Sequence, residues 1–338
     1  MIKVSTKPVS SEYEVVIGRG LLERAGEELN LDRKVMIISD QGVPYEYLEK
    51  VMNQCRDPHT AIIACGEDSK SLDNFARIQR ALVYKGFTRG DCIVAIGGGV
   101  PGDLAGFSAA SFMRGIDFYN IPTTVLAQVD SSIGGKTAIN FCGMKNMVGA
   151  FYQPKKVLID TDTLKTLKKR QISEGLAEAL KMAATSDASL FSIFENDQPE
   201  DCMETIIEKA LNIKKNVVEQ DEKEAGLRRV LNFGHTLGHG IEAASRGKLF
   251  HGECVALGML PRCSVQVKER LVTIYEKLEL PSVCKIRIDE AMEAVTHDKK
   301  SAGDTIKCVY VPEVGTYEFR DMDLAELGER LKETAAEA

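Results

Sequence analysis

His235, His239 and His251 place three of the five histidines of a 338-residue chain within seventeen positions. The first two are four residues apart, so a helix would carry both imidazoles on one face. A divalent metal ion needs convergent, deprotonated nitrogen or oxygen donors, and histidines at this spacing supply them readily. A His-x-x-x-His pair alone is as compatible with a solvated polar face as with a metal site. The case needs a third donor. Beside His235 and His251, either His239 or Glu178 could be that donor, and the residue types alone do not choose between them.

Further polar groups lie near by in sequence. Asp130, Lys136, Lys145 and Asn146 fall in a Gly-rich, turn-prone stretch, and Lys214, Arg228 and Asn232 lead into the histidines. Glu178 and Lys181, three apart, share one face of a predicted helix. The net charge of −7 provides no general basic field for nucleic acid, so any anionic ligand has to meet locally gathered Lys and Arg. After a predicted strand ending at Ile96 comes Gly97-Gly98-Gly99-Val100-Pro101-Gly102-Asp103, a Gly-x-Gly-x-x-Gly pattern opening a helix. Glycines there let a pyrophosphate approach the backbone at a helix N-terminus, although a tight turn needing positive φ reads the same way. Thr123 and Thr124 follow another predicted strand and suit either a ribose or phosphate contact or a helix cap. Gly134-Gly135-Lys136-Thr137 resembles the tail of a P-loop, but Asp130 stands where the earlier glycine is required, which excludes that ATPase motif.

These groups need elements to hold them. Lys34–Ser39, Thr60–Cys65, Cys92–Ile96, Phe118–Pro122 and Val157–Asp160 read as buried strands, with an amphipathic helix at Leu72–Val83 capped by Ser71 or Ser69. Strand–helix alternation predicts an α/β, Rossmann-like N-terminal domain with a parallel sheet over residues 1–160. Residues 161–338 are expected to form a mainly α-helical, metal- and substrate-binding domain. Its helical stretches are Glu174–Ala184, Met203–Val218, Leu237–Ala244, Glu253–Lys268 and Ile288–Thr296, with a late hairpin from Thr305–Val311 and Gly315–Phe319. No low-complexity linker separates the halves, so a broad shared interface is expected, and such interfaces favour ligand clefts. Nine scattered cysteines, never in Cys-x-x-Cys, read as reduced thiols of a cytoplasmic protein. No run approaches a membrane span, and the first residues lack the apolar core of a signal peptide.

Taken in order, the segments resemble the 3-dehydroquinate synthase family. The resemblance rests on Gly66-Glu67-x-x-Lys70, Gly97–Phe107, Ile121–Thr137, Gly143-Met144-Lys145-Asn146, Gly175–Lys181, Glu222–Arg228, Leu231–Glu242 and His251–Met259, and extends to Asp298-Lys299-Lys300. It implies a homodimer that binds NAD and a divalent metal, zinc in the usual case and cobalt as the alternative. The family converts 3-deoxy-D-arabino-heptulosonate 7-phosphate to 3-dehydroquinate and phosphate. The steps are transient oxidation at C5, β-elimination of phosphate, reduction, ring opening and aldol closure.

By the same resemblance, Glu178, His235 and His251 are metal ligands. NAD contacts fall on Asp40, Glu67, Lys70, Gly98, Gly99, Asp103, Thr123, Thr124, Lys145 and Thr166. Catalytic roles fall on Asp130, Lys136, Lys181, Lys214, Arg228, Asn232 and His239. Substrate contacts fall on Arg114, Asn146 and Lys299 or Lys300. Pro101 and Pro261 depart from the family pattern. The first suits a helix's first turn, and the second predicts a kink or helix end. The competing readings are a sugar-phosphate cyclase with another substrate, a metal-dependent polyol dehydrogenase, and a non-catalytic relative that has lost a ligand.

Overall fold

The computed structural model describes residues 1–8, 11–297 and 305–337. The chain divides into two compact units, Met1–Leu167 with Val218–Lys223, and Lys168–Val217 with Glu224–Ala338.

The strands of the first unit are β1 (Ile2–Thr6), β2 (Tyr13–Gly18), β3 (Lys34–Asp40), β4 (Asp57–Ile63), β5 (Cys92–Gly97), β6 (Asp117–Pro122), β7 (Lys136–Phe141), β8 (Met144–Phe151) and β9 (Lys156–Asp160). Seven of them make one sheet in the order β1-β2-β9-β6-β5-β3-β4, parallel throughout except for the antiparallel β1–β2 pair. Val35, Ile37, Val94 and Ile96 point into one core, and Met36, Ile38, Ile93 and Ala95 into the other. Because both faces are covered, these strands read as unbroken apolar runs rather than as an alternation.

The helices of this unit are α1 (Ala25–Glu28), α2 (Tyr45–Met52), α3 (Leu72–Tyr84) and α4 (Gly99–Ser111). Ser71 caps α3, its hydroxyl accepting from the Asn74 N–H at 3.2 Å. Gly97, at φ +151°, turns β5 into α4, and a Cβ there would lie 2.7 Å from Pro101 Cγ. Pro101 falls in the first turn of α4, where its missing N–H breaks no helical bond. β1, β2 and the β7–β8 hairpin were not among the predicted strands. The hairpin's β8 is exposed along most of its length, so no buried face imprints a pattern on it.

The second unit holds α5 (Lys169–Ser186), α6 (Ala188–Asn196), most of α7 (Met203–Gln220), α8 (His235–Ser245), α9 (His251–Met259), α10 (Val265–Leu278), α11 (Ile288–His297) and α12 (Leu324–Leu331). A short strand β10 (Cys284–Ile286) pairs with β13 (Ala335–Glu337), and β11 (Thr305–Tyr310) pairs antiparallel with β12 (Glu318–Asp323) as the predicted late hairpin. The single helix expected over Glu253–Lys268 is in fact two. α9 ends at Met259, Pro261 sits in the 3-10 turn Leu260–Arg262, and the Ser264 hydroxyl caps α10 by accepting from Val267 N–H. Among the described residues, no helix is long and apolar enough to cross a membrane.

The end of α7 and the residues after it, Val218–Lys223, cluster with the first unit. There the Lys7 N–H donates to Glu219 Oε1 at 2.6 Å, and Gln153 Nε2 donates to Glu222 Oε1 at 2.9 Å.

All nine cysteines are free; Cys92, Cys254, Cys284 and Cys308 are buried, whereas Cys65 and Cys142 are exposed. Burial pushes the Cys92 thiol up to about 12, which denies it thiolate character at neutral pH. Titration of the native protein with a disulfide reagent should therefore modify Cys65 and Cys142 first. The four buried thiols should react only after denaturant is added, which mass mapping of the modified sites will check.

Candidate active site

Three helices carry the donor cluster: α5 holds Glu178, α8 begins at His235, and α9 begins at His251. Their close approach depends on glycines. A Cβ at Gly252 would lie 1.8 Å from the Glu174 carbonyl oxygen, and one at Gly258 would lie 2.0 Å from the Gly234 carbonyl oxygen. Gly234, at φ +79°, itself makes the turn into α8. The start of α9 is held from outside the cluster. Glu253 accepts from the Phe250 N–H at 2.8 Å and takes a bidentate pair from Arg170 at 2.6 and 2.7 Å. Further along, the buried Tyr275 hydroxyl donates to the Ala256 carbonyl at 2.7 Å.

Glu178, His235 and His251 each bring one donor atom within 4.8 Å of the others. Glu178 Oε1 faces His235 Nε2 at 3.6 Å and His251 Nε2 at 3.5 Å. That oxygen is buried and accepts no hydrogen bond of good geometry, while Oε2 accepts from the Lys181 ammonium. The opposite ring nitrogens are committed: His235 Nδ1 faces the Phe233 carbonyl at 3.3 Å, and His251 Nδ1 faces Glu242 Oε2 at 3.1 Å. Fixing Nδ1 in this way aims both Nε2 atoms at a shared point, each a lone-pair donor when its ring is neutral, as outer partners of metal-binding histidines do. An orphaned carboxylate oxygen and two aimed imidazoles form a donor set that fits a divalent cation such as zinc or cobalt.

His239, Glu242 and His251 make a second, overlapping group. The His235 and His239 rings are 5.4 Å apart on α8, and His239 lies 5.9 Å from His251. In that group the Glu242 carboxylate is already engaged with His251 Nδ1, and His239 is exposed.

Charge within the cluster is finely divided. Burial works against ionised Glu178, but the Lys181 ammonium, with the protonated His251 ring, overcomes it and holds the carboxyl well below its usual range. Burial lowers His235 to about 3, leaving it neutral. Burial acts on His251 in the same sense, yet the facing carboxylates of Glu178 and Glu242 outweigh it and raise the ring to about 10. Metal-free protein thus keeps a proton on His251, between two carboxylates.

Lys214 and Arg228 are buried in the same unit, and Asn232 Nδ2 donates to Glu224 Oε1 at 2.9 Å.

The first unit gathers a second set. Lys70 is buried, and its ammonium reaches Asp103 at 2.7 Å, Glu67 at 3.3 Å and the Asn146 side-chain oxygen. Asp103 and Lys136 line one recess with Asn120, Ser131 and Thr137. The glycine turn packs closely on its neighbours, with the Gly98 Cβ position 3.3 Å from Thr124 and that of Gly99 3.3 Å from Ser131. Thr123 N–H donates to the Gly97 carbonyl at 2.9 Å, and the Thr124 hydroxyl accepts from Ala127 N–H as a helix cap. Asp130 lies in the helical turn that follows, Ala127–Ser131.

Asp40 ends β3 and accepts from Gly42 N–H, while the Thr166 hydroxyl lies 3.2 Å from that of Tyr47. Lys145 and Asn146 are exposed on β8. Arg114 is exposed and follows Met113 in left-handed backbone, at φ +68° and +49°, a conformation costing on the order of 1–3 kcal/mol per residue. Lys299 and Lys300 lie outside the described residues. Glu242, Arg170 and Glu253 were not singled out from the sequence. Glu242 did leave a signal, being at i+7 from His235 on the same helical face.

This architecture is shared with sugar-phosphate cyclases. It is similar to a 2-deoxy-scyllo-inosose synthase complexed with carbaglucose-6-phosphate, NAD+ and Co2+, at TM-score 0.90 and 25% identity over 98% of this chain and 100% of that one. It is also similar to a 2-epi-5-epi-valiolone synthase from Streptomyces hygroscopicus with NAD+ and Zn2+ bound, at TM-score 0.86 and 26% identity, covering 97% and 98%. A glycerol dehydrogenase from Schizosaccharomyces pombe shares the fold at TM-score 0.64 and 18% identity, covering 98% of this chain and 89% of that one.

Within that class the chain belongs to the 3-dehydroquinate synthase family. The family model for the N-terminal part of 3-dehydroquinate synthase matches residues 60–174, and that for the C-terminal part matches 175–301. The 3-dehydroquinate synthase of Streptococcus suis is 41% identical over 98% of this chain and all of its own length. That of Streptococcus pneumoniae is 40% identical over 94% of this chain and 96% of its own.

Two outcomes follow from the helix packing. Gly252→Ala must part α5 from α9, so it should cost about 1–3 kcal/mol in denaturant unfolding and lower the protein's uptake of zinc. Unchanged stability and uptake would mean that the crossing yields freely. The second concerns Glu174, whose Oε2 accepts from Gly252 N–H at 3.2 Å. Burial raises its carboxyl from 4.5 to about 7 against that hydrogen bond. Between those values the folded state binds more protons than the unfolded one, so stability is lost as pH rises through that window. In chelator, Glu174→Gln should therefore gain stability over the parent from pH 5 to pH 8, on the order of 3 kcal/mol at about 1.4 per unit.

Proposed function

We propose that this chain acts as a 3-dehydroquinate synthase, a carbon–oxygen lyase that closes 3-deoxy-D-arabino-heptulosonate 7-phosphate to 3-dehydroquinate and releases phosphate. One observation carries the reading most directly: buried Glu178 Oε1, which accepts no hydrogen bond of good geometry, faces the Nε2 atoms of His235 and His251. In this reading these three residues hold a divalent metal, and His239 faces substrate. Asp40, Glu67, Lys70, Gly98, Gly99, Asp103, Thr123, Thr124, Lys145 and Thr166 bind NAD, with 1–160 as the nucleotide-binding domain and 161–338 as the metal- and substrate-binding domain. The protein is a cytoplasmic homodimer with neither nucleic acid nor membrane as partner.

When bound, the metal supplies Lewis acidity toward vicinal oxygens at C4 and C5, and NAD⁺ supplies a hydride acceptor that is regenerated within the cycle. The chain's own residues bind and orient. Lys136, Lys181, Lys214 and Arg228, with Arg114, Asn146, Asn232 and Lys299 or Lys300, hold a carboxylate and a phosphate while negative charge migrates between carbons. That is preorganised electrostatic stabilisation. Asp130 and His239 orient hydroxyls and water, and the departing phosphate itself accepts the C6 proton. Keeping one substrate fixed through successive steps removes the entropy of repeated encounters. Retention of Lys214, Arg228, Asn232 and His239 supports dehydroquinate over other cyclase products, because these residues grip the substrate carboxylate.

The experiment is phosphate release from the heptulosonate 7-phosphate with catalytic NAD⁺. Release should require metal and stop with chelator or Glu178→Ala, and NADH should not accumulate. Absence of release from metal-loaded protein, or release indifferent to Glu178→Ala, would overturn the assignment. Steady NADH accumulation would point to a polyol dehydrogenase.

A further inference from the structure

Asn140 sits where the β7–β8 ladder breaks. Ile139 pairs with Val148 and Phe141 with Met144, so Lys145, Asn146 and Met147 bulge from β8 opposite Asn140 alone. A bulge re-aims side chains and leaves backbone groups without ladder partners. Asn146 takes left-handed backbone at φ +54°, and its N–H donates to Asn140 Oδ1 at 2.9 Å. On the other side, Asn140 Nδ2 donates to the Glu67 carbonyl at 3.2 Å and to Glu67 Oε1 at 3.1 Å. The Asn140 backbone N–H donates to the Lys70 carbonyl at 2.7 Å. Two acceptors on Nδ2 and a donor on Oδ1 set the orientation of the amide. One half-buried side chain thereby ties the Glu67–Lys70 turn to the bulge that presents Lys145 and Asn146.

Resting on the NAD-binding reading above, we infer that Asn140 is a positioning residue of the nucleotide site: it holds Glu67 and Lys70 in register with Lys145 and Asn146. The Lys70 ammonium also bonds the Asn146 side-chain oxygen, so Asn140 and Lys70 together pin the bulge of a mostly exposed strand, where a slip would carry Lys145 away from its place. Binding groups need support of this kind to keep their geometry.

The test measures the Kd for NAD⁺ and the metal content of metal-loaded wild type, Asn140→Ala and Asn140→Asp. Asn140→Ala should raise the Kd at least tenfold and shift KM for NAD⁺ more than kcat, with metal content unchanged. Asn140→Asp is isosteric and keeps the acceptor for Asn146 N–H, but it sets a second carboxylate against Glu67, with Lys70 and Asp103 as the other charged groups of the network. Its Kd relative to wild type should be raised at neutral pH and recover as pH falls into the ordinary carboxylate range, a profile that general destabilisation does not produce. Wild-type affinity in Asn140→Ala, or a pH-independent ratio for Asn140→Asp, overturns the inference. Should Asn140→Ala fail to fold, the Asn140→Asp profile alone decides. Wild-type protein that binds no NAD⁺ overturns the functional reading instead.

Discussion

The candidate metal site depends on how closely α5, α8 and α9 approach one another. Glu178 leaves α5 from its middle, whereas His235 and His251 stand at the first positions of α8 and α9. Side chains as short as these meet at one point only if the backbones nearly touch. The missing Cβ atoms at Gly252 and Gly258 let carbonyl oxygens of the neighbouring segments occupy the space. Wider spacing, as between helices that pack through leucine, would pull the donors apart. Arg170, Glu253 and Tyr275 then secure α9 from its outer side.

The same crowding explains the charge pattern. A carboxylate as buried as Glu178 is costly unless compensated, and Lys181 compensates one of its oxygens. The other is left to the histidines. Each histidine spends Nδ1 on a protein acceptor, a carbonyl for His235 and the Glu242 carboxylate for His251. The two rings therefore differ in charge although both face the same oxygen.

Much of this was legible in the sequence where burial imposes a pattern. β3, β5, β6 and β9 showed as apolar runs because the sheet is covered on both faces. Local chemistry also spoke for Ser71 or Ser69 as a cap and for a kink or helix end at Pro261, and the structure has Ser71 and a helix end. The β7–β8 hairpin stayed hidden because β8 is exposed along most of its length and the register between the strands is broken by a bulge. Glu178 and His239 were indistinguishable as a third donor, since spacing describes one helix and cannot report what a distant helix brings. The orphaned oxygen of Glu178 is a property of packing alone. Membership of a family was legible because many ordered segments agreed, where any one of them would have been weak.

The return of Val218–Lys223 to the α/β unit has a bearing on how the chain is made. On a ribosome the N-terminal unit cannot reach its final form when residue 167 emerges, since Lys7 and Gln153 still lack the carboxylates of Glu219 and Glu222. Its completion waits for α5, α6 and α7 to be synthesised. Cutting the chain once cannot yield both units whole, so completing the first depends on synthesis of most of α7 in the second.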